Sequence, residues 1–183
     1  DWNEGPNAKI SSKDVWQDLR AASEKNGAVA KSTGDIAKGL SSGDKFEESY
    51  ELPFLAHAAM EPLNATVHVK PDACEIWTGT QIVTRVQSEA AKAAGLPVEK
   101  VIVNNHLLGG GFGRKLEPDM VVAAVRVAKQ VDYPVKVVWT REEDTQHDVY
   151  RPVYRNNISA TLVDGKVAAW KHKITGSAVL ARW

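Results

Sequence analysis

Leu107-Leu-Gly-Gly-Gly-Phe-Gly-Arg-Lys115 lies between a β-type run, Val101 to Val103, and a helical run from about Asp119 to Ala128. Three consecutive glycines and a fourth after Phe112 at such a junction put backbone amides where they can face a ligand. Glycine tolerates positive φ and lets the main chain approach something bulky, and a loop feeding a helix N-terminus favours anions. Arg114 and Lys115 add positive charge beside it. Phe112 is the odd member, because a flexible loop has no need of one aromatic ring bracketed by glycines. The spacing is neither a P-loop, since Leu116 follows Lys115, nor Gly-x-Gly-x-x-Gly.

Working outward, Pro134-Val-Lys-Val-Val-Trp139 predicts a strand, and Thr140 with Glu143 forms a capping box for one short turn. Strands at about Arg155 to Leu162 and Val167 to Ile174 flank Asp164-Gly165, a type I′ hairpin signal. On the other side, Ala65, Val67 and Val69 alternate with polar residues, and Lys70 to Ala73 turns the chain into Cys74 to Thr78 as an antiparallel hairpin. Thr80 can cap a helix carrying Ile82, Val86, Ala90 and Ala94 that ends at Gly95 and Pro97, which makes Gln81 a first-turn residue. Phe46 to Leu52 is strand-like. Residues 1–45 are the most polar part: Ser11 or Ser12 caps a helix with Val15, Trp16, Leu19 and Ala22 on one face, and a Gly-punctuated irregular connection follows. These patterns predict an α+β fold, a two-layer arrangement of a mixed sheet with helices packed on it. The expected organisation is a polar N-terminal helix and connecting segment over 1–45 and an α+β domain over 46–183.

Composition narrows the function. With 23 basic and 23 acidic side chains the formal charge is zero, so no general field steers the chain toward nucleic acid. Cys74 is the single cysteine, which excludes an internal disulfide, an iron–sulfur cluster and a multi-cysteine zinc site. No apolar run reaches the ~20 residues of a membrane-spanning helix. His57, His68, His106, His147 and His172 lack the i, i+4 spacing of a helical metal pair and are assigned hydrogen-bonding roles. Arg141 to Asp144 reads as a solvated turn, with Asp148 to Arg151 expected to hold a salt bridge across it, and Trp77 and Trp139 as packing residues. The chain begins at Asp1 and stops within Ser177 to Trp183, an apolar stretch, so it reads as a piece of a longer chain.

The glycine loop does not stand alone. Trp77-Thr-Gly-Thr-Gln81, a helix, Gly95-Leu-Pro97 and Lys100-Val-Ile-Val103 precede it in order. Together with Ala56-His-Ala-Ala-Met-Glu-Pro-Leu-Asn64 and Trp139-Thr-Arg-Glu-Glu-Asp144, this succession resembles the molybdenum-cofactor-binding large subunit of the xanthine dehydrogenase and aldehyde oxidase family. Within that family it looks most like the isoquinoline 1-oxidoreductase beta-subunit type and related aldehyde dehydrogenases.

The resemblance implies a molybdenum-dependent oxidoreductase. Its reaction hydroxylates an electron-poor carbon of a heteroaromatic or aldehyde with oxygen from water, and electrons leave through iron–sulfur clusters on a partner subunit or domain. It also implies that Gln81 hydrogen-bonds the apical oxygen of the metal centre, and that Gly110, Gly111, Phe112 and Gly113, with Arg114 beside them, line the molybdopterin. Purine-oxidising members carry a substrate-orienting glutamate where Arg114-Lys115-Leu116 stands here, so Leu116 favours a neutral N-heteroaromatic or an aldehyde, although Glu117 adjoins it. The family's general base matches no part of this chain, so these 183 residues are expected to be inactive alone. Two other readings of the residues stay open: a nucleotide- or phosphate-binding module built on the glycine loop, and a structural domain that docks a partner.

Overall fold

A computed structural model describes residues 5–178; the chain ends that suggested a piece of a longer protein lie partly outside them. In chain order the elements are α1 (Ser12–Ser23), α2 (Ile36–Leu40), β1 (Asp44–Leu52), β2 (Asn64–Val69), β3 (Cys74–Thr78), α3 (Val83–Ala94), β4 (Val101–Asn105), α4 (Asp119–Ala128), β5 (Val135–Val138), α5 (Arg141–Gln146), β6 (Tyr154–Val163) and β7 (Lys166–Gly176). They form two compact units, one of residues 1–55 with 152–183 and one of residues 56–151. The polar segment up to residue 45 thus shares a unit with the C-terminal strands.

In the first unit β1, β6 and β7 make an antiparallel sheet in the order β1-β6-β7. The β6–β7 turn has Asp164 at φ 49° and Gly165 at φ 75°, the positive pair that a type I′ hairpin requires. Ser11 caps α1 through a reciprocal box with Asp14. Within the connection read as irregular, Asp35 caps the one-turn helix α2 by accepting from Lys38 N–H at 3.0 Å. The sequence patterns imply one mixed sheet; the structure has two. Period-two alternation tells which face of a strand is apolar, not which strands share a sheet.

The second unit holds the mixed sheet, ordered β4-β3-β2-β5, with β3 parallel to β4 and the other pairs antiparallel. One face is packed by α3 and α4. Ala65, Val67, Cys74, Ile76 and Val101 from the sheet meet Val86, Ala90, Val121, Ala124 and Val125 from the helices in one apolar cluster. Each fully buried Val or Ile contributes roughly 1.5–3 kcal/mol relative to exposure, so this layer is the unit's main source of stability. Gly95 ends α3 in the left-handed conformation at φ 77°. The α4 boundaries match the sequence reading, with Asp119 in the first turn complementing the helix dipole.

Because β3 and β4 run parallel and side by side, their C-terminal ends open at the same edge of the sheet. The chain leaving β3 carries Gly79, Thr80 and Gln81, and the chain leaving β4 carries the glycine loop. Asn64, at the start of antiparallel β2, reaches that edge too: its carbonyl accepts from the Thr78 hydroxyl at 2.8 Å.

Candidate functional site at the glycine loop

Gln81 does not begin the helix. The N-cap of α3 is Ile82, whose N–H donates to Thr80 Oγ1 at 3.2 Å, while the Thr80 hydroxyl donates to Lys115 O at 3.0 Å and Gln81 N–H donates to the same carbonyl at 3.1 Å. The Lys115 carbonyl therefore holds residues 80 and 81 outside the helix and against the far end of the loop. Gln81 Oε1 accepts from Gly113 N–H at 3.1 Å. That bond fixes the flip of the amide, because the oxygen must face the donor. The side-chain NH₂ then carries two donors that meet no acceptor among the described residues.

Within the loop, Gly110 (φ 98°) and Gly113 (φ 102°) adopt backbone that glycine alone accepts cheaply, and Phe112 adopts φ 54° with its ring 66% exposed. A non-glycine residue held there costs about 1–3 kcal/mol, and such strain concentrates at ligand sites. Arg114 N–H returns to Gly111 O at 2.8 Å, closing the loop on itself. The N–H groups of Gly110, Gly111 and Phe112 meet no acceptor among the described residues. Gly111 packs against Gln81: an added Cβ would lie 2.5 Å from Oε1. Gly110 packs on Ala59 and the Phe112 ring in the same way. The loop is thus a cradle of amide donors in which a Cβ on Gly110 or Gly111 would press on its neighbours.

Arg114 and Lys115 do not charge the loop as the sequence suggested. Both are buried, 3% and 4% exposed. Arg114 is turned inward and forks onto Asp119, with Nη1 and Nη2 at 2.8 and 2.7 Å from the two carboxylate oxygens. Its Nη2 also donates to His147 O at 3.3 Å, and the guanidinium lies 5.9 Å from the Trp139 ring centre. Its Nε is 3.0 Å from Asp148 Oδ1, but off the line of the N–H bond, so that contact is ionic rather than a hydrogen bond. Burial works against the Arg114 charge, and Asp119, Asp148 and Asp144 together hold its pKa above the ordinary value. Asp148 is itself buried and accepts from His57 N–H at 2.5 Å, with His57 Nδ1 at 3.0 and 3.1 Å from its two oxygens. The solvated-turn reading of Arg141 to Asp144 also changes: Asp144 is buried, accepting from Arg141 Nη1 at 2.6 Å, and Arg141 donates to the Ala59 carbonyl.

Sequence reasoning passed over Glu61, His57 and Asp148 as site residues. Apart from Asn64, three residues from Glu61, the partners that define their roles lie tens of residues away. The remaining histidines make hydrogen-bonding or packing contacts where the structure gives one, as His172 does with Asn156.

The features needed for an acceptor-rich organic cofactor are present: free amide donors, a side-chain NH₂ without an acceptor, an exposed aromatic ring and glycines packed closely on Gln81 and Ala59. A family model for the molybdopterin cofactor-binding domain matches residues 20–178. Isoquinoline 1-oxidoreductase subunit beta of Brevundimonas diminuta is 34% identical over 140 residues, 74% of this chain and 18% of that protein. Aldehyde oxidoreductase molybdenum-binding subunit PaoC of Escherichia coli O157:H7 is 31% identical over 147 residues, 78% of this chain and 20% of that protein. The fold is also that of part of quinoline 2-oxidoreductase from Pseudomonas putida 86, at a TM-score of 0.62 and 20% identity over 76% of this chain and 18% of that one. The chain thus spans about a fifth of the length of these relatives. It belongs to the molybdopterin cofactor-binding domain family.

Proposed function

We propose that this chain forms one wall of the molybdopterin site in the large subunit of an oxidoreductase that oxidises an N-heteroaromatic or aldehyde substrate and passes electrons to an iron–sulfur partner. The observation that carries the reading is the pairing of Gln81 with Gly113, which leaves the Gln81 NH₂ and the N–H groups of residues 110–112 as unused donors at one sheet edge. The bound cofactor supplies the oxygen transfer and the two-electron chemistry. The residues of this chain orient it. Neutral donors stabilise negative oxygen without changing protonation state, so their contribution is available at any working pH. Phe112, exposed above the cradle, offers an apolar surface for a flat or uncharged substrate.

Leu116 is half-buried in the turn after the loop, and Glu117 beside it lies 3.8 Å from Arg85 with its side chain 11% exposed. Glu117 is therefore occupied within the unit, which supports a neutral substrate over a purine. The inward pairing of Arg114 and Lys115 argues against a phosphate loop, whose cation should face the ligand. The proposed role is tested by metal and pterin analysis of the purified holoenzyme. Molybdenum and pterin in equal, stoichiometric amounts are expected; a protein that carries neither, or carries a nucleotide instead, would overturn it.

A further inference from the structure

The glycine loop is fastened by a carboxylate. Glu61 stands in the turn before β2, and its Oε2 accepts from Gly109 N–H at 2.7 Å and from Lys115 Nζ at 2.5 Å. Oε1 accepts from Asn64 Nδ2 at 3.0 Å, and Glu61 N–H donates to Gly109 O at 3.1 Å. Gly109 and Lys115 are the two ends of the loop, so one side chain spans it. The Lys115 carbonyl in turn receives Gln81 N–H and the Thr80 hydroxyl. Glu61 is therefore one residue removed from the amide that Gln81 presents.

A buried lysine paired with a half-buried carboxylate is seldom the cheapest way to fill space, since an apolar pair of similar volume is often as stable. An apolar pair could not accept from Gly109 N–H, however, nor tie both loop ends to one point. Gly109 and Glu61 are also shaped to each other, because a Cβ on Gly109 would strike the Cβ of Glu61. Burial pushes the Glu61 carboxyl toward protonation, yet Lys115, Asn64 and Gly109 hold it below the usual carboxylate range. It is an anion with three donors.

We infer that Glu61 is a positioning residue: acting through Gly109 and Lys115, it holds residues 109–115 in the shape that turns Gln81 and the free amides toward the ligand. The proposed function supplies the identity of that ligand; the clamp itself rests on geometry within the unit.

The test uses wild type, Glu61→Ala, Glu61→Gln and the double variant Glu61→Gln with Lys115→Met. Amide hydrogen exchange is followed on the cofactor-free protein and molybdenum content on the holoenzyme. In Glu61→Ala, exchange at Gly113 and Arg114, the loop amides that donate within the loop and to Gln81, should become about tenfold faster or more as the loop loses its charge-assisted anchor, while β3 and β4 amides keep wild-type rates. Molybdenum content should fall with it. Glu61→Gln strands the Lys115 charge and should loosen the loop less, and removing that charge in the double variant should recover most of the protection and the metal. Unchanged exchange at Gly113 and Arg114 in Glu61→Ala would overturn the inference. If Glu61→Ala weakens the whole unit, Glu61→Gln decides: a rise confined to the loop supports the clamp, and a rise shared by β3 and β4 overturns it. A loosened loop with full molybdenum content sinks the positioning role but not the proposed function, whereas a wild-type holoenzyme without molybdenum sinks the proposed function alone.

Discussion

Gln81 Oε1 and Gly113 N–H, 3.1 Å apart, set the direction of the Gln81 amide. Two substitutions separate that scaffold bond from the donor it leaves free. Gln81→Glu keeps an oxygen for Gly113 and loses the NH₂, while Gln81→Ala loses both. A hydrogen bond to a charged oxygen is worth about 1.5–3 kcal/mol, so both variants should lose roughly 10- to 100-fold in kcat if the bond forms in the transition state. Gln81→Glu should stay within about 0.5 kcal/mol of wild-type stability, in the range of an exposed surface change. Steady-state rates normalised to bound metal, with a denaturant melt of each variant, check this; a wild-type rate in metal-replete Gln81→Glu would show that the NH₂ is idle.

Gly111 acts on the same amide from the other side. Its φ is ordinary, so an added methyl would be resisted by the 2.5 Å approach to Gln81 Oε1, not by backbone strain. The obstructing atom is the end of a movable side chain, so Gly111→Ala should fold and simply push the amide aside. Its rate loss should resemble that of Gln81→Ala, and the double variant should be little worse than either, as neighbours acting through one group are non-additive. Losses that multiply in the double variant would mean that Gly111 works independently of Gln81.

What the sequence made legible follows from range. The Asp164-Gly165 turn, the Gly95 stop and the extent of α4 are set by residues within a few positions of one another, and local chemistry was enough for them. The glycine loop was legible as a ligand-facing element because glycine density and a lone aromatic are themselves unusual. By sequence Thr80 looks like a cap and Gln81 like a first-turn residue, but the cap is Ile82, two positions on, because the Thr80 hydroxyl is drawn to Lys115 O, 35 positions ahead. By sequence Arg114 faces a ligand, because nothing local marks Asp119 and Asp148 as the partners that turn it inward. The division of strands between two sheets was hidden for the same reason: β1 pairs with β6 across a hundred residues.

Arg114 predicts a stability effect distinct from catalysis. Its side chain is 3% exposed and that of Asp148 2%, whereas Asp119 is 45% exposed. In Arg114→Met the Asp119 carboxylate can turn to water, but Asp148 stays buried with only His57 beside it. Removing one partner of a buried pair costs about 3–5 kcal/mol. The urea midpoint should fall accordingly at an unchanged slope, and Arg114→Met with Asp148→Asn should recover part of the loss. A shift under about 1 kcal/mol, the scale of a surface ion pair, would show that Asp148 does not depend on Arg114.

Cys74 gives a prediction in alkali. It is 1% exposed in β3, facing the helices, and burial pushes its thiol pKa from 9.0 up to about 11. The thiolate is the reactive form, so the folded protein should resist a thiol reagent at pH 8 and react fully once unfolded in urea. The stability consequence follows from proton counting. Between pH about 9 and about 11 the unfolded chain has released the thiol proton and the folded chain still holds it, so raising the pH favours unfolding. This contribution is complete below the unfolded pKa and is lost as pH rises through that window, by on the order of 2 kcal/mol. Lysines and tyrosines titrate nearby in pH, so the comparison must be with Cys74→Ala, which keeps every other group. The stability advantage of wild type over Cys74→Ala should be constant from pH 6 to 8 and shrink between 9 and 11; an advantage that stays constant to pH 11, or grows, would mean that the buried thiol ionises as readily in the folded chain as in the unfolded one.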